Sequence, residues 1–190
     1  MAQIQSLTRA CGSNVPPGIQ LIAWFTLAGE LAAWPETREE GGGTAQGDSK
    51  ILDEPFSFTG APVGKGFWRK LNILTDTGNV RDTLEGEIGG QGFVNRLEFF
   101  VLGASAAQRE FADLVAANAG CLVFMVKTKS GEHVVIGNKD NPCFVEASEM
   151  ALGAANGDRV GTSYTLYANT GYTCPIYDAA EHGIDETPNT

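Results

Sequence analysis

The chain of 190 residues has little of what most catalysts are built from. It holds two histidines, His133 and His182, and four cysteines, none paired at C-x-x-C spacing. No H-E-x-x-H, no histidine pair with a third ligand and no calcium-loop run of Asp and Asn occurs, so no metal or other cofactor is expected. Cys143 follows His133 by ten residues, a spacing without a nucleophile–base signature. Cations are scarce as well, 13 Lys and Arg against 23 Asp and Glu, for a net charge of −10 and a pI near 4.6. That argues against the ordinary nucleic-acid binder, which gains affinity by neutralising phosphates. It leaves room for a surface past which nucleic acid must move without sticking. Apolar runs are short: residues 19–28, IQLIAWFTLA, reach about half of the ~20 residues a membrane helix needs. The Pro16-Pro17-Gly18 turn and the single Arg9 upstream are poor flanks for a secretion signal. Cys121 sits in the apolar run CLVFMV, where a free thiol acts as a small hydrophobe. Four reduced thiols and intracellular assembly are expected.

What is present is the composition of a folded domain, 43% hydrophobic and 19% charged, at a length that buries a real core in one unit. Residues 1–18 read as an N-terminal arm, 19–175 as the domain, and the acidic stretch 176–190 as a tail with no core of its own. Ile19, Leu21, Ala23, Phe25 and Leu27 alternate as the apolar face of a first strand. Residues 36–50, ETREEGGGTAQGDSK, form a long loop too polar and glycine-rich to bury surface alone.

FWRKLNILT, residues 67–75, gives a further strand. The best local signal follows: a strand from Val80, a glycine turn at 89–92, and a return strand with Phe93, Leu97, Phe99 and Val101 on one side. Val80, Leu84 and Ile88 form the apolar side of the outgoing strand, with Asp82 as an interruption. Residues 105–119 predict a helix opened by a Ser105-x-x-Gln108 capping box, burying Phe111, Leu114 and Val115, and ended by Gly120. CLVFMVKTK and EHVVIG flank Ser130-Gly131 as a hairpin with a two-residue loop, CFVEASEMALG suggests another strand, and GTSYTLYANT alternates Tyr164, Leu166 and Ala168 against polar neighbours. The expected fold is mainly β: an antiparallel sandwich or small barrel, each sheet with one wet side, and one flanking helix.

Chemistry is hard to place on this frame. VGKGFW and GGQG lack the strand-before, helix-after context of a phosphate cradle. Asp53-Glu54, Glu39-Glu40 and Glu85/Glu87 are carboxylate pairs with nothing to oppose an acid to a nucleophile. The sequence predicts no enzyme. Trp24, Trp34 and Trp68 could serve a carbohydrate-binding sandwich module if exposed, and Trp24 falls on the wet parity of its strand.

From TDTGNVRDTLEGEIGGQGF through FFVLGASAAQREFADLVAANAGCLVFMVKTKSGEHVVIGN the order of elements resembles the major tail tube proteins of tailed bacteriophages, a fold shared with the inner tubes of contractile injection systems. The resemblance spans roughly residues 15–170 and rests on architecture, since that family has no short invariant signature. It implies a structural virion protein, assembled in the bacterial host cytoplasm. Its partners would be copies of itself in stacked hexameric rings and other tail proteins, without membrane attachment. DNA would pass through the bore unbound. A tail terminator, head-closure or capsid-decorating protein is the neighbouring possibility. On the tube reading, Thr83, Glu85, Glu87 and Glu98 are candidates to line the lumen, where carboxylates repel phosphate. Glu36, Arg38, Glu39, Glu40, Asp48 and Lys50 belong to the loop that would reach the adjacent ring and order on contact.

Overall fold

The computed structural model describes residues 17–59, 66–74, 76–153 and 157–186. The expected N-terminal arm, apart from its last two residues, lies outside this range, as does Cys11. The fold is mainly β, and no barrel closes among the described residues. The described residues form twelve strands: β1 (Ile19–Leu27), β2 (Leu31–Ala33), β3 (Ile51–Leu52), β4 (Ser57–Phe58), β5 (Arg69–Asn72), β6 (Asn79–Glu85), β7 (Gly92–Leu102), β8 (Leu122–Thr128), β9 (His133–Ile136), β10 (Phe144–Ala151), β11 (Gly161–Asn169) and β12 (Ile176–Tyr177). They form a six-stranded sheet ordered β3-β12-β9-β8-β1-β5, a four-stranded sheet ordered β10-β11-β7-β6, and the small pair β2-β4. All pairings are antiparallel except β3 with β12.

The six-stranded sheet is buried on both faces, contrary to the expectation of one wet side per sheet. Ala23, Phe25, Phe124, Val126 and Ile136 meet Leu97, Phe99, Tyr164 and Leu166 of the four-stranded sheet. On its other face Trp24, Val123, Met125 and Val135 pack under Leu31, Phe56, Phe58 and Trp68. That is why β8 is apolar at successive positions, LVFMV, where a half-wet strand would alternate. Each such side chain contributes about 1.5–3 kcal/mol when fully buried.

Helix α1 (Ala106–Ala117) starts as expected. Ser105 caps it, and the Ser105 backbone N–H donates to Gln108 Oε1 at 2.8 Å. Asn118 is the C-cap, so Gly120 comes two residues later than expected for a terminator. The helix covers the open side between the two larger sheets. Its Phe111 ring lies 5.2 Å from Phe25 on one and 5.5 Å from Tyr164 on the other, with Val115 buried beneath and Leu114 partly so.

Three further expectations are corrected. The first hairpin turns at Gly86, where φ is +112° and a Cβ would lie 2.8 Å from the Gly90 carbonyl oxygen. Glu87 and Ile88 therefore belong to the turn, outside β6. The second hairpin connects over residues 129–132 instead of two. The stretch expected to be a coreless tail joins the six-stranded sheet as β12, buries Tyr177, adds the one-turn helix α2 (Ala179–His182), and packs Ala179 and Ile184 on the second core.

Asp82, read from sequence as a blemish on the apolar side of β6, has partners there. Asn95, fully buried, donates to Asp82 Oδ1 at 2.6 Å and to the Tyr172 carbonyl at 3.1 Å, and it accepts from the Thr170 hydroxyl. The Cys174 N–H donates to Asp82 Oδ2 at 3.1 Å. These bonds fasten residues 170–174, where the chain leaves the four-stranded sheet for the six-stranded one, beneath the β6–β7 hairpin. A buried amide must be satisfied in this way or cost stability.

Candidate assembly surface

The outward face of the four-stranded sheet is assembled by register. On β7 the core takes Asn95, Leu97, Phe99 and Val101, which turns Val94, Arg96, Glu98 and Phe100 outward. Arg81 lies opposite Arg96, Asn79 opposite Glu98, Thr83 opposite Val94, and Glu85 opposite Gly92. β11 adds Ser163, Thr165 and Tyr167, and β10 adds Glu146 and Glu149. Thr83, Glu85 and Glu98 thus share one face, as expected, whereas Glu87 sits apart in the turn.

This face is less acidic than the run Thr83, Glu85, Glu87 suggested. Arg81 pairs with Glu98, and Arg96 lies between Glu85 at 3.7 Å and Glu146 at 3.6 Å. Each such exposed pair contributes little stability. Their effect is on the field: four carboxylates against two guanidinium groups leave a modest negative excess on the strand positions. Sequence reasoning missed Glu146 and Glu149, because nothing local says that β10 completes this sheet. Strand alternation in CFVEASEMALG was the available signal.

The same sheet ends in two long open edges. Among the described residues nothing pairs beyond β6 on one side or β10 on the other. Most of β6 and β10 is exposed on both faces. Leu84 stands half out of the core, and Phe144 is partly exposed and stacked on Tyr167, rings 5.6 Å apart. Native proteins usually cover, shorten or charge such edges, because unpaired N–H and C=O groups recruit another strand.

The loop at 36–50 is folded onto its own subunit, where ordering on contact was expected. Arg38 grips Asp53 with two hydrogen bonds, 2.9 and 2.8 Å, and reaches Asp178 at 3.2 Å. The bidentate Asp53 carboxylate holds the guanidinium pKa above its ordinary value, and Arg38 in turn lowers that of Asp53. Asp48 is buried and accepts from the Ala45 N–H at 2.6 Å. A Cβ at Gly43 would meet Asp48 Oδ2 at 2.5 Å, so the turn needs glycine there. Lys50 lies over the Tyr172 ring at 5.0 Å. Glu36, Glu39 and Glu40 are exposed, and Glu40 accepts from the Thr37 N–H at 2.7 Å. What remains free to meet a neighbour is the tip at 41–47.

The chemistry weighed from sequence is taken apart by the fold. His133 shares the Trp24 face of the six-stranded sheet, with ring centroids 5.6 Å apart, whereas Cys143 is buried in the core on the other face. Burial raises the Cys143 thiol pKa to about 12. Burial also holds the His133 pKa below its ordinary value, helped by the Lys127 charge. Trp24 and Trp68 are only 5% and 1% exposed. The Trp24 Nε1–H donates to Glu186 at 2.6 Å. The aromatics proposed for glycan stacking are therefore core residues, apart from a half-buried Trp34 against Phe56. Asp53, Glu181 and His182 bring one ligand atom each within 4.8 Å of one another. Asp53 is already held by Arg38, whose charge would oppose a cation.

No protein-family model, no curated protein and no solved structure matches the chain.

Proposed function

We propose that the protein is a structural virion subunit whose copies join their four-stranded sheets edge to edge into rings, and that stacked rings form a tail tube for DNA. The observation that carries this reading is the sheet left open at both β6 and β10. Pairing β6 of one copy with β10 of the next satisfies both rows of backbone groups at once and repeats around a closed ring. The side facing away from the six-stranded sheet is polar and charge-interleaved, which suits a wetted bore: carboxylates of Glu85, Glu98, Glu146 and Glu149 repel phosphate, while Arg81 and Arg96 are engaged by them. Helix α1 and the 36–50 loop then lie away from the bore, the loop tip available to the next ring.

Negative-stain electron microscopy of the purified chain tests the reading. Tubes, or rings with a central hole, are expected. Single rings that never stack would favour a terminator or head-closure role, and a monomer across concentration and salt would overturn assembly altogether.

A further inference from the structure

We infer that the tip of the β6–β7 hairpin is a knob that seats in a groove of the neighbouring copy, between β5 and the N-terminal end of α1. The inference rests on the self-assembly reading and adds to the β6–β10 edges a contact between stacked copies. Ile88, at the tip, is 99% exposed. With half-exposed Leu84 four residues before it, Ile88 gives the end of the hairpin an apolar side chain that a groove on another copy could bury.

The groove is a cavity of about 580 Å³ floored by Phe25, Leu71, Val101 and Phe111, with Leu21 and Leu102 at its mouth. These two leucines are 53% and 55% exposed. Leu21 belongs to the apolar face expected of β1, yet it stands half exposed among the described residues.

Charge selects the occupant. Lys70 borders the groove and makes no ion pair among the described residues. The first turn of α1, which includes Ala107 and Gln108 of the groove wall, has no acidic residue of its own. Its unsatisfied N–H groups therefore favour a negative partner. The tip supplies one: the turn at 86–91 carries Glu87 and no Lys or Arg, whereas Asp82 and Glu85 are engaged by Asn95 and Arg96. Glu87, adjacent to Ile88, has no ion pair either.

Position excludes an internal contact. The turn precedes β7 and the groove takes Val101 and Leu102 from its far end, so knob and hole sit at opposite ends of an 11-residue strand, about 35 Å apart. A knob and hole so separated join copies head to tail along the strand direction, which stacks one ring on the next while the β6 and β10 edges close each ring.

Sedimentation velocity on the full chain tests the contact. Ile88→Ser should raise the concentration for half-assembly at least tenfold. Glu87→Lys and Lys70→Glu should each raise it about three- to tenfold, and the double variant should return to within about twofold of wild type. Unchanged urea midpoints would show that all four chains fold alike. Wild-type assembly of Ile88→Ser, or a double variant no better than either single one, overturns the knob-and-groove contact while leaving the tube reading standing. Rescue by the charge swap in assemblies that lack a central hole supports the contact and overturns the tube. A wild-type chain that stays monomeric removes both.

Discussion

Asn95 donates to Asp82 at 2.6 Å from a fully buried position, joining the inward sides of β7 and β6. The same amide holds the Tyr172 carbonyl, so one side chain ties the hairpin to the segment that crosses between sheets. Replacing Asn95 with Ala leaves the Asp82 carboxylate and the Tyr172 carbonyl without that donor. A loss of about 1–3 kcal/mol is expected in urea denaturation, and an unchanged midpoint would show that the crossing is held by packing alone.

Trp24→Ala separates a core tryptophan from a ligand-stacking one. Trp24 packs in the second core and holds Glu186 near the C-terminal end of the chain. A cost of about 3–5 kcal/mol in urea denaturation is expected, with Glu186→Gln costing less. Full stability in Trp24→Ala, combined with loss of retention on a glycan column, would restore the binding-module reading.

Acid should weaken the fold through His133 before the carboxylates titrate. Its folded pKa lies below the ordinary value of 6.5, because burial and Lys127 disfavour the charged ring, with Asp178 opposing them. The unfolded chain therefore takes up the proton first. Stability is full above about pH 6.5 and falls as pH drops from there toward the folded pKa. Glu30 works lower: the Arg69 hydrogen bond depresses its pKa below 4.5, so its contribution is lost only as pH falls below that value. Thermal melts from pH 7.5 to 5 should decline for wild type and flatten for His133→Gln. Parallel curves would remove His133 as the cause.

The loop tip is predicted to act between rings. Deleting residues 41–44 keeps the Arg38–Asp53 pair and the Ala45 N–H that Asp48 accepts. The variant should melt close to wild type and form rings that do not lengthen into tubes. Tubes of normal length would dismiss the tip's role in stacking.

Local signals in the sequence carried furthest where neighbours in sequence are also neighbours in space. The Ser105-x-x-Gln108 box, the Tyr164, Leu166 and Ala168 face of β11 and the β6–β7 hairpin all follow from period and capping. Partnerships between distant residues were not legible. Asp82 reads as an error until Asn95 and Cys174, 13 and 92 residues away, come into contact with it. Trp24 has wet parity only if the sheet has one covered side, and its cover comes from Phe56, Trp68 and the C-terminal stretch. The unalternating LVFMV of β8 was the one local hint that both faces are buried. For the candidate surface, Thr83, Glu85 and Glu98 were found by alternation. Their neutralisation by Arg81 and Arg96 depends on cross-strand register, and Glu146 depends on which strand completes the sheet.

The central claim is edge-to-edge closure, and amide hydrogen exchange reads it at the two edges themselves. Assembled and dilute, dissociated protein should be labelled in parallel and compared at residues 79–85 and 144–151. Slowing at both segments together on assembly, with β8 unchanged, is the predicted result. Assemblies in which β6 and β10 exchange as fast as they do in the monomer would contradict it.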